Sequence, residues 1–527
     1  MASSSLEFEG GGDHVFSCLP PELWLKIAHH LCPSEEWLSH KESKYAISNM
    51  SLACRYFCDL CRPVLFSDMR FTRNLDLPPD FHINWYDFVL ENHSTPASLA
   101  SYVRSYMLYD WRGLSEFRRW GVDGLSPLQD KQLHLQVLSL LPQLQNLCLS
   151  EVDLDIVGMQ VILDLPALHS LAFERCKFFA LADSIRIPSV MVAIKKFTFC
   201  DTLSTMDDGF DPFIPAVMAA VASPSLRIWK SDDLRLTGTL CLLVDPSFLE
   251  DMTIRVNKAK LPLLSKFLLR TPSIHKLHIT HLPHNVADTS HDFDLPQTGL
   301  PDLRDLQCPL YLLPLLVPNR PIRRLHINGI VNREVPRSTR YFDIDLAPLA
   351  ALAQATSTIE DLTVPMTIYD NVRLEEYIPA MDSLTISDDR GLPMKIKSHN
   401  PKVKGLNCKC YQADPLANDG LAEQHLDLRK QKEWLTRLCP AFPDAVRICV
   451  TWSHVHWRRA SPGSTVWTPV VAERGAARRS IQVLAEYPDT SHVSVVDEDG
   501  CLAKLFLPQE LTPAIRKILG LEDQVGV

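Results

Sequence analysis

The sequence predicts an α/β repeat, a solenoid with a parallel sheet on its concave side, preceded by a small all-α module. Three observations predict it. One apolar pattern returns roughly every 25 residues between Leu144 and Val450, proline usually leads it, and a stretch of helical apolar spacing stands ahead of it between Phe16 and Phe66. The 527 residues leave room for several domains or one long repetitive one, and 46% hydrophobic with 22% charged residues is an ordinary globular balance.

Composition removes several classes. A net charge of −10 argues against a nucleic-acid-coating protein. Glycine, at 19 residues, is about half its usual share of ~7%, which weighs against phosphate-cradling loops. No stretch reaches the ~18 apolar residues of a membrane span, since Pro314 interrupts the longest candidate, Leu310 to Val317. The opening MASSSLEFEGGGDH lacks a basic start and an apolar core, so no secretion signal is expected. The 15 cysteines are scattered and odd in number, as suits thiols of a reducing compartment, cytosol or nucleus.

Residues 1–14 read as a tail and 15–68 as a helical module. Pro20 and Pro21 suit the first turn of a helix, Glu22 suits its positive end, and Leu19, Leu23, Ile27 and Leu31 make one apolar stripe. After a polar stretch around Ser34–Lys44, a second helical segment carries Ile47, Met50, Cys54, Phe57 and Cys61 on one side, with Pro63 expected to stop it. The order Leu19-Pro20-x-Glu22-Leu23, Ile27, Leu31, then Leu52-x-Cys54-Arg55-x-Phe57, then Pro63-x-Leu65-Phe66 resembles an F-box, with a slightly long polar insert at Ser34–Lys44 as its departure. The resemblance implies docking on the Skp adaptor of a cullin–RING ubiquitin ligase. Leu19, Pro20, Leu23 and Ile27 would form its first contact patch; Leu52, Phe57, Leu60 and Leu65 would form its second, partly as internal core. The plainer reading is a helical cap on the repeat. Cys54, Cys58 and Cys61 have the spacing of an iron–sulfur motif, but they lie in a helical, glycine-poor context that does not suit one.

Residues 69–130 read as a linker of helical or irregular structure, in which Trp111, Arg118 and Arg119 suit packing better than base stacking. The repeat is placed at 131–452. Its anchors are the unevenly spaced triplets beginning at Leu144, Leu168, Ile194, Leu226, Leu249, Ile274, Leu303, Ile322, Ile359, Met381, Val403 and Ala445. Proline stands two residues before eight of them, at 142, 166, 224, 272, 301, 379, 401 and 443, so each unit reads as helix, proline stop, short strand. Period-two alternation turns the apolar set inward and leaves a polar set outward. Over about 140–450 the series resembles the leucine-rich-repeat proteins. The family's turn asparagine is mostly missing, with Val152, Cys176, Leu282 and Ile330 in its place, so an irregular arc is expected.

Residues 453–527 read as a C-terminal cap. Before it, Leu416–Leu438 predicts a helix with Leu421, His425, Leu428, Trp434 and Leu438 on its packed side. Residues 460–480 read as a basic loop, 492–507 as a hairpin turning at Asp499–Gly500, and Thr512-Pro513 as the start of a last helix. No catalytic signature occurs, and the histidines at 278, 281, 284, 291, 454 and 456 lack compact ligand spacing, so no cofactor or metal is expected. F-box plus irregular repeat implies a non-catalytic substrate-recognition subunit, in the layout of large fungal F-box families. It would bind an unknown protein target through outward residues such as Glu174, Arg255, Lys276, His278, Arg324 and His326. The competing reading is a repeat scaffold for protein–protein interaction with no ubiquitin link.

Overall fold

The computed structural model describes residues 23–24, 26–27, 37–72, 81–92, 99–111, 127–179, 194–200, 213–221, 223–243, 247–281, 293, 295–328, 346–369, 371–388, 402–410, 435–450, 455–471, 493–496 and 502–505. The chain forms two compact units, Met1–Arg186 and Ile187–Val527.

In the first unit, helices α1 (Trp37–Ser51) and α2 (Arg55–Ser67) replace the single helical segment expected, and the polar stretch from Trp37 belongs to α1. The break falls at Cys54, whose backbone is extended. Pro63 does not stop α2, which runs on to Ser67. Proline forfeits one backbone bond and crowds the preceding turn. Against that cost, Cys61 and Val64 on either side of it are buried with Ile47, and Met50 and Leu65 pack on them. From Ser67 the chain enters β1 (Asp68–Thr72) with no intervening loop. Then come α3 (Phe81–Asn92), β2 (Ser105–Trp111), α4 (Pro127–Ser139), β3 (Asn146–Asp155), α5 (Ile156–Leu163), β4 (Ser170–Glu174) and β5 (Lys177–Phe179).

Strands β1 to β4 pair in parallel, each with the next, and β5 pairs with the end of β3. Parallel strands thus begin ahead of the proline-led pattern, inside the stretch expected to be a linker. Aromatic residues carry the buried positions there. Phe71 packs on Trp85, Tyr106 and His134, while the Tyr106 hydroxyl bonds His134 Nδ1 at 2.5 Å. Burial pushes the Tyr106 hydroxyl well above its ordinary pKa, with a hydrogen bond to Trp85 opposing.

The second unit runs β6 (Lys196–Cys200), α6 (Ile214–Val221), β7 (Ile228–Ser231), α7 (Leu234–Leu243), β8 (Asp251–Val256), α8 (Leu261–Leu269), β9 (Lys276–His281), β10 (Asp305–Pro309), β11 (Arg324–Asn328), β12 (Asp361–Pro365), β13 (Ala380–Asp388), β14 (Lys402–Cys410) and β15 (Arg447–Val450). All ten strands pair in parallel with their sequence neighbours. Every one of the twelve anchors leads into a strand. The middle residues of the ten in this unit fall in one register line, Phe197, Trp229, Met252, Leu277, Leu306, Leu325, Leu362, Leu384, Leu406 and Ile448, none more than 2% exposed. A line of apolar side chains stacked strand on strand is what buries each unit against its neighbours.

The prolines act in turns as well as at helix ends. The amides of Leu144, Leu226, Ile274, Leu303 and Ala445 donate to the carbonyls three residues back, at Leu141, Ser223, Thr271, Leu300 and Phe442. Each turn therefore has proline at its second position, where the pyrrolidine ring already holds the backbone angle the turn requires. Between units the backbone repeats one device: Lys276 and His275 both donate to Glu250, Asp305 and Arg304 to His275, Arg324 and Arg323 to Arg304.

Where units are short, the outer element shrinks. The connection from β10 to β11, Leu310–Arg323, holds a 3-10 turn (Leu310–Leu312) and one turn of helix (Leu313–Leu316) in place of the expected full helix. Leu374–Glu376, in the short connection from β12 to β13, is likewise 3-10, and so is Ala347–Gln354 in the longer connection from β11 to β12. In this region Arg320, 1% exposed, donates to the carbonyls of Gly299 (2.7 Å), Leu315 (3.0 Å), Pro318 (3.3 Å) and Pro296 (3.0 Å). Its own backbone carbonyl accepts from Thr356, so three successive units are tied through one residue.

At the turn after the strand, the buried Cys176 thiol donates to the Leu149 carbonyl of the preceding unit at 3.1 Å, supplying the bond an asparagine side chain would make. Thr280 to Ile254, Asn328 to Ile279 and Ser387 to Val364 do similar service elsewhere. Glu151 and Arg175, one residue past register partners Ser150 and Glu174, both take left-handed backbone (φ 59° and 51°) and join in a 2.8 Å ion pair.

The parallel run then reverses: β16 (Val455–Arg458) and β17 (Thr468–Val471) add antiparallel, so residues 468–471, expected in a loop, are a strand. Arg459 fixes this hairpin. It is buried, donates to the Phe442 carbonyl at 3.2 Å, and lies 4.9 Å over the Trp467 ring. A separate hairpin pairs β18 (Val493–Val496) with β19 (Leu502–Leu505) antiparallel, as expected, while the expected turn at Asp499–Gly500 lies outside the described residues. Of the helix expected before β15, residues 435–438 are helical with Leu435 and Leu438 buried, while 421, 425, 428 and 434 lie outside the described residues, as does the last helix.

Candidate functional site

Two surfaces carry the residues singled out from the sequence. On the helical module, Leu19 and Pro20 lie outside the described residues. Leu23 and Ile27 are helical and 42% and 38% exposed, and Leu52, at the α1–α2 break, is 80% exposed. Leu60 and Leu65 are half-buried, Leu65 against the Ile47 cluster. Phe57 is buried, with Trp24 edge-on at 5.1 Å, and so belongs to the module's interior. Cys54 is exposed, whereas Cys61 is buried and its thiol pKa is raised, by burial first and by Cys58 second. Among the described residues no group of three metal-ligating side chains occurs, and no helix is long and apolar enough to cross a membrane.

The second surface is the polar face of the strands. Glu174 stands half-buried on β4 of the first unit. Arg255, Lys276, His278, Arg324 and His326 all stand on β8, β9 and β11 of the second, at positions alternating with buried ones. Register arranges their neighbours in rows. The first row reads Asp251, Lys276, Asp305, Arg324, Asp361, with charge alternating from strand to strand. Lys276 Nζ lies 4.0 Å from Asp251, and Arg324 Nε lies 3.8 Å from Asp305. From β8 to β14 the second row reads Thr253, His278, Gln307, His326, Thr363, Thr385 and Asn407, without a carboxylate, lysine or arginine, and one strand earlier, on β7, Lys230 stands in register with Thr253.

Asp305 is the junction of the two rows. His278 Nε2 donates to its Oδ1 at 3.3 Å while Arg324 approaches Oδ2. Burial alone would raise its pKa, but the His278 hydrogen bond and the charges of His278, Arg324 and Lys276 together hold it below the ordinary value. Asp361 goes the other way: burial raises it, Glu360, Asp382 and Asp305 add to the rise, and Arg324 only partly offsets them. Along the rim, Arg323 lies 3.5 Å from Glu360 and Lys404 bonds Asp382 at 2.6 Å. Sequence reasoning named the cations and histidines of this face and missed Asp251, Asp305, Asp361, Gln307 and Thr253. The signal was present, because each lies one residue to either side of a register-line residue, but unequal spacing hid which of them are neighbours.

No family model matches the chain, and no curated protein matches it. Among solved structures it is similar to a chain in the crystal structure of the Rad7 and Elc1 complex in yeast, at 13% identity and a TM-score of 0.32, over 71% of this chain and 94% of the other.

Proposed function

We propose that the chain is a substrate-recognition subunit of a Skp-cullin-F-box type ubiquitin ligase. The helical module docks on a Skp-family adaptor and through it a cullin, and the polar strand face of the repeat holds a protein target. The subunit itself breaks no bond; its contribution is to hold the target near a ubiquitin-charged enzyme, where proximity lowers the entropic part of the barrier. The observation that carries this reading is the exposure of Leu23, Ile27 and Leu52 on a module whose interior is already filled by Ile47, Phe57, Cys61 and Val64. Burying a fully exposed aliphatic side chain gains roughly 1.5–3 kcal/mol, so a partner would gain most of that from Leu52 and under half of it from each of Leu23 and Ile27. Eleven cysteines of the described residues, Cys54 to Cys449, are free thiols, which suits a reducing compartment, so we place the protein in the cytosol or nucleus.

The test is capture of the full chain by a purified Skp-family adaptor. Leu23→Asp with Ile27→Asp should abolish capture while the repeat keeps its melting profile. A second reading, a repeat scaffold whose helices only cap the sheet, draws on the direct passage of α2 into β1 at Ser67–Asp68. Wild-type protein that no adaptor captures decides for that scaffold.

A further inference from the structure

We propose that the second row of the open strand face in Ile187–Val527, from Thr253 to Asn407, binds an extended, uncharged polypeptide segment, and that phosphate has no part in its recognition. This rests on the reading that the repeat holds a protein target, and it names the class of segment held.

The argument is one of charge matching. Lys276 and Arg324 in the first row already lie beside Asp251 and Asp305, and Arg323 and Lys404 on the rim already pair with Glu360 and Asp382. A phosphate or carboxylate brought to these cations has to displace an acid fixed in the neighbouring unit, and a basic segment has to displace a cation. Either exchange gives up about as much as it gains. Arg255, on β8 in register with Thr280, and Lys230, on β7 in register with Thr253, stand outside these pairs, and there an anionic group is not turned away by this argument.

The second row is chemically different. Thr253, His278, Gln307, His326, Thr363 and Asn407 are half-buried and of types that donate and accept hydrogen bonds. His278 already donates to Asp305, Gln307 to Asn328 and Asn407 to Ser383 and Thr385, which leaves acceptor atoms on all three and a second amide hydrogen on Gln307 for a ligand. Such groups match the alternating N–H and C=O of a polypeptide backbone and the amide and hydroxyl side chains of Ser, Thr, Asn and Gln, whichever way the segment runs. The seven strands from β8 to β14 place these residues along a line of about 29 Å, the length of eight or nine extended residues.

The test uses the full chain and fluorescently labelled peptides of about 12 residues. One set is rich in Ser, Thr, Asn, Gln and Gly, matched sets carry phosphoserine, glutamate or lysine, and a neutral oligosaccharide, cellohexaose, forms a further arm. The uncharged set should bind, with affinity changing less than about twofold between roughly 50 and 500 mM salt. His278→Ala with Gln307→Ala and His326→Ala should weaken it by about tenfold or more at unchanged melting temperature, and Arg255→Ala should leave it unaltered. If the triple variant unfolds, Gln307→Glu replaces it and should weaken binding in the same sense. Preference for the phosphorylated, acidic or basic set, a steep salt dependence, binding of the sugar alone, or binding of no arm overturns the proposal. Adaptor capture is measured on the same preparation. Capture without peptide binding sinks this inference and leaves the ligase reading standing; peptide binding without capture does the reverse.

Discussion

Arg320 offers the sharpest perturbation of the fold. Replacing it with methionine keeps the volume and removes the donors that reach four backbone carbonyls between 2.7 and 3.3 Å. Hydrogen bonds from a charged donor contribute about 1.5–3 kcal/mol each, and relief from burying a guanidinium returns several kcal/mol of that total. The net loss should therefore be about 3 kcal/mol, large for one residue but short of the sum of its bonds. Burial pulls the guanidinium down to about 10, so it is still charged at neutral pH and the loss should be the same at pH 6 and pH 8. Urea unfolding gives the global figure. Amide hydrogen exchange gives the location: the Asn319 and Thr356 amides, bonded to Gln354 and Arg320 carbonyls, should exchange fastest among those affected. Arg320→Lys keeps the charge but not the fork, and should recover less than half of the loss. A methionine variant within about 1 kcal/mol of wild type, with exchange unchanged across 296–356, would refute the claim that this side chain ties the units together.

Three further outcomes are expected. Asp305→Ala should cost about 2 kcal/mol at pH 7; because the folded carboxyl is held below its ordinary pKa, that stabilisation is complete above the ordinary carboxylate range and is lost as pH falls through the folded value, so wild type and variant should converge at acid pH in urea titrations. Leu384→Ala, in the buried register line, should cost about 2–5 kcal/mol, whereas Leu52→Ala, exposed at the helix break, should stay within about 0.5, and equal effects would contradict the assignment of inside and outside. Cys176→Ala should lose about 1 kcal/mol by removing the thiol's bond to the Leu149 carbonyl, and Cys176→Ser should lose less; thermal melts showing the reverse order would remove the thiol's role.

The repeat was legible because its signal is redundant. An apolar triplet and a leading proline report the same strand, and a turn plus an inward-facing rung leave little choice at those positions. Strands β1 and β2 were hidden because Phe71, Tyr106 and Trp111 hold the buried sites and no proline leads them, so the segment read as an aromatic linker. The helical module was legible in its apolar order and not in its breaks. Pro63 stays inside α2 because tertiary burial around it outweighs its local cost, and Cys54 interrupts a run that looks uniformly helical. Arg320 carries no warning at all in PNRPIRR, since a buried arginine bonded to carbonyls differs from an exposed one only in its surroundings. The charge rows were invisible for a geometric reason: units of unequal length conceal which side chains register brings together.

The alternating signs of the first row act as a parity rule on how the array can be edited. Excising Asp305–Arg323 would set Lys276 beside Arg324, and excising Arg324–Glu360 would set Asp305 beside Asp361; both joins meet with like charge. Removing both units together brings Lys276 to Asp361, and the signs agree again. Along this stretch the charges favour losing or gaining units in twos over singly, by the small margin that half-exposed ion pairs supply.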